Sequence, residues 1–491
     1  MIRVALAVAL LLCGSSASFA KTVEEDQQQL MQSAMADLQS GRPAPALKTL
    51  DRLLLDVRVP ARIATIHQLR AIAFMEKNSV KDAVRAVDAA IAADPTSDFP
   101  AIWAFETGTD TGSLDIAMRG ADRLLASNPS AARKLEGQKF FSFIRGVRAS
   151  LGNDRADDYL LRFADVGWGE GAQDHHDGVA SSAALVYLKR GKTADAKRLV
   201  SHIFDAAALA EVLTDRRFAE IWPEVESRIG SHMEVATGSS VISAENDFRD
   251  QPDSPKARQS LMHAYIMAGR LPDGDKVGAE FAKTPEAIAE LDESGGWFVN
   301  EHAMLLYAMH RDAEADARYA ALRAIDIQKS PWLISMVINR VEFLVRKGHY
   351  AKAGPLVDEA AALSEKYGSP YARQLVRRLR VCMAAGLKQP TEASLQDLVA
   401  HKADSRGVTA EGYLCVGKTD EAAQLTLAQI DDPEATTQII GALQPPESVW
   451  DGDPSSWRAA THALLSRPDV KDAFLKIGRI LPETYWPIRR N

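Results

Sequence analysis

The sequence predicts an all-α protein made of many short helices, and three observations carry that expectation. Apolar residues recur at three- and four-residue steps, as in residues 81–95, KDAVRAVDAAIAADP, which is the spacing of one helix face. Strictly alternating apolar and polar runs, the mark of half-buried strands, are scarce. Gly, Asn, Asp and Pro punctuate the chain at short intervals, so each helix is brief.

The chain opens with MIRVALAVALLLCGSSASFA. Arg3 gives a positive start, residues 4–13 an apolar run, and Ser18-Phe19-Ala20 a small-residue cleavage site. These are the parts of a secretory signal peptide over residues 1–20, cut after Ala20. A lipid-modified Cys13 would want a small residue before it, and Leu12 stands there, which argues against a lipoprotein. No later stretch is apolar and long enough to span a bilayer. The expectation is a soluble, exported chain, in a bacterial periplasm. Hydrophobic residues make up 46%, enough for a core, and the net charge is −8. An acidic chain without a basic block disfavours nucleic acid and anionic membrane as main partners.

One short frame recurs. Residues 184–196 place Ala184, Tyr187, Gly191 and Ala196 at set offsets, and residues 410–422 place Ala410, Tyr413, Gly417 and Ala422 at the same ones. Ala71, Phe74, Asn78 and Ala83 fit it, as do Val341, Leu344, Gly348 and Ala353. Tyr265 with Gly269, and Gly41 with Ala46, each keep half. The frame resembles the tetratricopeptide repeat, a helix–turn–helix unit of about 34 residues, and specifically exported proteobacterial repeat proteins of that kind. The small residue lets two helices approach, the aromatic fills the gap between units, and Gly or Asn78 ends the first helix in a left-handed turn. The best unit runs from about residue 65 to Pro95, and Asn128-Pro129 closes another. Glycine spacing over 348, 386 and 417 is uneven, and residues 137–179 fit no unit well. The resemblance therefore implies a solenoid of tetratricopeptide-like hairpins with irregular members.

That frame also settles a formal match to the phosphate-binding loop, Gly412 followed at the right spacing by Gly417-Lys418-Thr419. A phosphate loop follows a buried strand, whereas residues 401–411, HKADSRGVTAE, are polar. No nucleotide is expected. Two segments echo one another at Trp222-Pro223 and Trp486-Pro487, and resemble closing helices that cover an open apolar end. They suggest two arrays, 21–235 and 240–491, with Ser-rich residues 233–247 as a linker and residues 292–300, DESGGWFVN, as a loop. Cys382 and Cys415 are the two cysteines left after the signal, too few for a disulfide framework or a four-ligand zinc site. They lie about one repeat apart. Equivalent positions in stacked units are usually too far apart for a bridge, though these two are not quite equivalent, and an oxidising compartment would permit a bond if the helices lean together.

Local chemistry is thin. Asp174, His175, His176 and Asp177 form a solvated loop in this reading, with Asp177 capping a helix that starts near Val179, and neighbouring histidines on a helix rarely share a metal. Glu301-His302 and His310 lack metalloprotease spacing, and there is no nucleophile elbow. No catalytic residue, metal or cofactor is expected. The resemblance implies instead a concave face lined from the first helices: Gln68, Ile72 and Met75; Leu185, Leu188 and Lys189; Gln259, His263 and Ile266; Ile338, Glu342 and Arg346; Glu411 and Leu414. Its polar members Gln68, Lys189, Gln259, His263, Glu342, Arg346 and Glu411 are the candidate binding residues. The expected function is a scaffold for a protein or peptide partner, by resemblance in envelope assembly, secretion or polysaccharide export. The alternative is a helical enzyme or carbohydrate-binding protein, which a closed cleft of buried carboxylates would favour.

Overall fold

Left-handed residues end the first helix of hairpin after hairpin. Gly41, Gly269, Gly348 and Gly417 have φ of +66° to +73°, and Asn78 has +55°. Each follows a helix and precedes its antiparallel partner, as in Pro60–Glu76 and Val80–Ala93, or Leu333–Arg346 and Tyr350–Tyr367. The structure, a computed structural model, describes residues 20–169, 173–432, 435–444 and 456–485. The signal peptide expected over 1–20 lies, except for Ala20, outside them. The described residues form helices and turns, with one isolated bridge from Asp215 to Gly478 and no strand. The fold is all-α, a succession of helical hairpins. None of the described helices is long and apolar enough to cross a membrane.

Two hairpins escaped the sequence frame for identifiable reasons. His310 (φ +59°) holds the left-handed turn between Glu293–Ala308 and Asp312–Leu322, with Ala303, Leu306 and Ala315 at the expected offsets. In the hairpin of Phe99–Thr111 and Leu114–Ser127, Gly112 (φ +71°) makes the turn but the sizes are exchanged. Phe105 stands where the small residue is expected and Gly108 where the aromatic is. The uneven glycines have a similar origin. Lys388 (φ +56°), not Gly386, takes the left-handed turn. Gly386 is small because a Cβ there would stand 2.5 Å from Cε2 of Tyr350.

The chain gathers into two compact units, Met1–Arg190 and Gly191–Asn491; the sequence expectation placed its division at 235–240. In the first unit, the stretch 137–165 that fits no repeat forms the hairpin Gly137–Leu151 and Asn153–Asp165, joined at Gly152. Aromatic rings fill its core. Phe140 stacks on Trp168 at 4.0 Å, and Phe105 meets Phe143 edge-on at 5.3 Å. In the second unit a continuous apolar core runs from Ile288 to Cys382. Serine, threonine and aspartate open its helices: Ser254, Ser369 and Ser405 each accept from the amide three residues on, at 3.1–3.3 Å.

Four local expectations are corrected. The Ser-rich linker is the helix Glu234–Asp250, in which Thr237 and Ser240 are buried and return their hydroxyls to the carbonyls of Met233 and Ala236. The loop at 292–300 is the start of Glu293–Ala308. Asp292 caps it through the Gly295 amide at 2.9 Å, and Gly296 leaves room for the Trp332 ring. The loop expected at 174–177 is helical from Gln173 to Lys189, and Asp177 is 1% exposed, within 3.1 Å of His176 Nδ1. Gly169 (φ +86°) permits that start, since a Cβ there would lie 2.9 Å from the His176 amide. Finally, Cys382 and Cys415 are disulfide-bonded, with Cα atoms 5.0 Å apart. Their helices, Pro370–Gly386 and Arg406–Cys415, pack directly, and Cys415 is the last residue of its helix.

The paired Trp-Pro segments fare differently. Trp222 is half-buried, donates Nε1–H to the Val212 carbonyl at 2.9 Å, and lies under the Arg479 guanidinium at 4.0 Å. Arg479 also donates to Leu213 O and, at 2.7 Å, to Glu226. Trp486 lies outside the described residues.

Candidate functional site

The first helices of the second unit follow one another as Pro255–Met267, Glu293–Ala308, Leu333–Arg346, Pro370–Gly386 and Arg406–Cys415, each packed on the next. Residues four apart on a helix share a face. The pairs Gln259/His263 and Glu342/Arg346 therefore each present two polar groups to one side, and the neighbouring helices add the rest.

Glu342, Arg346 and Glu411 meet through a residue that sequence reasoning missed. Arg378 is 2% exposed and donates to Glu342 Oε2 at 2.7 Å and to Glu411 Oε2. Arg346 closes the group by donating to Glu342 Oε1. Burial pushes the Glu342 carboxyl up, but Arg378 and Arg346 beside it hold it below its ordinary value. Burial likewise works against the Arg378 charge, and the two carboxylates more than offset it, raising its pKa. Two cations and two anions pair here and tie three helices together.

The second cluster is not closed in this way. Gln259 Nε2 donates to Glu301 Oε1 at 2.6 Å, and His263 sits close enough to act on the same carboxylate. Glu301 Oε2 is buried and has no hydrogen-bond partner among the described residues. Burial raises the Glu301 pKa, with Gln259 and His263 pulling the other way. An acceptor removed from water without a donor costs about 1–3 kcal/mol.

The remaining candidates separate. Gln68 is 4% exposed with Nε2 unbonded among the described residues, so it belongs to the helix packing and not to an open face, and Ile72 beside it is buried. Lys189 is exposed, with Leu185 and Leu188 half-buried. Leu414, Ile338 and Ile266 are core. Among the described residues no three His, Cys, Asp or Glu side chains converge as a metal site would require.

Gly417-Lys418-Thr419 lies in a helix–helix turn. The helix Arg406–Cys415 precedes it, Gly417 takes φ +73°, and exposed Lys418 pairs with Glu421 at 3.0 Å. Lys418→Ala is expected to leave stability within about 0.5 kcal/mol, since an exposed pair contributes little. Gly417→Val is expected to cost roughly 1–2 kcal/mol, because a β-branched residue resists that backbone. Urea unfolding of the two variants checks both figures.

His302 was set aside in the sequence as lacking a motif, and it proves to be the centre of a buried network. Its Nδ1 lies 3.1 Å and 3.0 Å from Arg318 Nε and Nη2, and its Nε2 is 2.9 Å from Asp275 Oδ1. A guanidinium only donates, so Nδ1 accepts, and the ring is neutral with its proton on Nε2 toward Asp275. Arg318 also donates to the carbonyls of Gly278, Phe281 and Ala282, sealing the end of Leu271–Ala279. Burial is the main cause that lowers the His302 pKa below 6.5, helped by Arg318 and Arg311 and opposed by Asp275. A histidine kept neutral in the fold takes up its proton more readily when unfolded. Its contribution is therefore complete above about pH 6.5 and shrinks as pH falls below that value. The urea midpoint should fall over that range, and His302→Gln should flatten the fall.

No family model matches the chain. No curated protein matches it either. Among solved structures, the chain is similar to yeast Tom70 at 10% identity, covering 92% of this chain and 99% of that one, with a TM-score of 0.36. It is similar to the Cut9–Hcn1 hetero-tetramer of the APC/C at 12% identity, covering 92% and 96%, with a TM-score of 0.26.

Proposed function

We propose that this protein is an exported scaffold that binds a protein or peptide on the first-helix face of its second unit, at Gln259, His263 and Glu301. The observation that carries the reading is the Glu301 carboxylate, one oxygen bonded to Gln259 and the other without a donor among the described residues. A ligand amide or ammonium that displaced Gln259 from the carboxylate would supply that donor. The candidates Glu342, Arg346 and Glu411 serve this face indirectly, by fixing the helices that carry it. Export fits the sequence of residues 1–20 and the Cys382–Cys415 bond, which is typical of oxidising compartments. A periplasmic place, a role in envelope assembly, secretion or polysaccharide export, and a binding rather than catalytic task belong to the same proposal.

Glu301→Gln tests it. Removing the charge from a carboxylate whose pKa burial has raised should hold or raise thermal stability at neutral pH. A charge-assisted hydrogen bond to a partner would be lost at the same time, worth about 1.5–3 kcal/mol, or roughly ten- to a hundredfold in affinity. The immobilised mature chain would be used to capture partners from envelope extracts, alongside the variant. Equal capture by a stable Glu301→Gln protein would refute the assignment.

A further inference from the structure

The second unit also holds a half-enclosed cavity of ≈ 150 Å³, between Asp312–Leu322, the turn after it, Leu333–Arg346 and Tyr350–Tyr367. Its walls are apolar, from Leu322, Leu333, Met336, Val337, Leu356 and Leu363. That volume accommodates a group about the size of benzene. Two polar elements complete the lining: Arg340, and the more exposed pair of Arg323 and Glu359, bonded at 2.5 Å.

Arg340 is only partly used by the fold. Its Nη2 donates to Asp316 Oδ1 at 2.8 Å, while its Nε is buried and has no acceptor among the described residues. The guanidinium carbon stands 5.6 Å above the Tyr319 ring, which fixes the plane of the group. Asp316 is itself shared, accepting from Tyr307 at 2.7 Å and pairing with Lys352 at 3.4 Å. Of the charged side chains in the lining, Arg323 is held by Glu359, while Arg340 reaches out of the lining to Asp316. An apolar pocket with a guanidinium in its wall recognises an apolar group joined to an anion, and a planar carboxylate suits the guanidinium fork.

This is not the face proposed above for a partner. Arg340 lies two residues from both Ile338 and Glu342, so it points about 200° away from each around the helix. The site goes beyond the scaffold reading, and either can fail alone.

We propose that this cavity binds a carboxylate carried on a branched aliphatic or aromatic group of benzene size. Two sources share that chemistry: a free monocarboxylic acid, or the C-terminal residue of a peptide ending in Leu or Phe.

Calorimetric titration of the full mature chain tests the proposal. The probes are 4-methylpentanoate, its neutral amide, and a tetrapeptide ending in Leu with a free or an amidated C-terminus. The expected result is saturable binding of at least one acid arm, with its amide at least about tenfold weaker, as loss of a charge-assisted contact implies. Val337→Phe, and separately Leu363→Phe, would fill the cavity and abolish binding while leaving the charges in place. Tighter binding of the free-ended peptide identifies a chain terminus as the ligand, and tighter binding of the free acid identifies a metabolite. The proposal is overturned if neither acid saturates by about 10 mM, if amide and acid bind alike, or if both filled variants bind as the native chain does. Should the filled variants fail to fold, the comparison of acid with amide on the native chain decides.

Discussion

Arg378→Ala is expected to lower the stability of the 191–491 unit by about 3–5 kcal/mol, the usual cost of removing one partner from a buried charge group. Arg378 is 2% exposed and holds Glu342 and Glu411 from the helices on either side of its own. Without it Glu342 keeps only Arg346, and Glu411 loses its Arg378 partner. The loss is electrostatic and not merely one of volume. A triple variant, Arg378→Met with Glu342→Met and Glu411→Met, should therefore recover most of it, as apolar replacement of buried ion groups often does. Denaturant unfolding under non-reducing conditions measures both proteins. A single variant within 1 kcal/mol of the native chain, by the same principle, would show that the pairs are already broken in solution.

Gly120→Ala is the second large effect, and its sign runs against helix propensity. Alanine in place of a mid-helix glycine ordinarily stabilises by about 1 kcal/mol. Here a Cβ would stand 2.5 Å from the Phe105 amide nitrogen and closer still to the Ala101 carbonyl oxygen, and both are backbone atoms of the facing helix. A flexible side chain could yield, but a helix backbone cannot without moving the hairpin. The expected cost is about 3 kcal/mol, at the upper end of overpacking. Gly112→Ala, in the turn of the same hairpin, has nothing within 4 Å of its added Cβ and suffers only from φ +71°. Its cost should be nearer 1 kcal/mol. Thermal melts that rank the two the other way would mean that the helices are not in contact at Gly120.

The sequence disclosed what repeats locally and concealed what pairs across repeats. Ala71, Val341 and Ala410 announced their hairpins because each unit needs a small residue, a large one and a left-handed turn in fixed order. Where His310 replaced glycine, or Phe105 and Gly108 exchanged sizes, the same geometry was met by other residues and the frame did not show it. Ser240 and Thr237 looked like linker material because composition does not reveal that a hydroxyl will bond back within a helix. Glu342 with Arg346, and Gln259 with His263, were legible as shared faces from four-residue spacing. Arg378 and Glu301 were not, since their roles depend on residues 33 to 42 positions away. The Cys382–Cys415 bond was missed for a related reason: equivalence between repeats was counted from the sequence, while the bond depends on where each helix ends.

The most direct test of the central claim, that the first-helix face of the second unit binds a protein, is site-specific photo-cross-linking in living cells. A photoreactive amino acid would replace Gln259 on that face in one strain, and Lys276, exposed on the partner helix Leu271–Ala279, in another. The expected result is a covalent adduct with another protein from position 259 and none from position 276. An adduct from 276 alone, or from neither, would contradict the account.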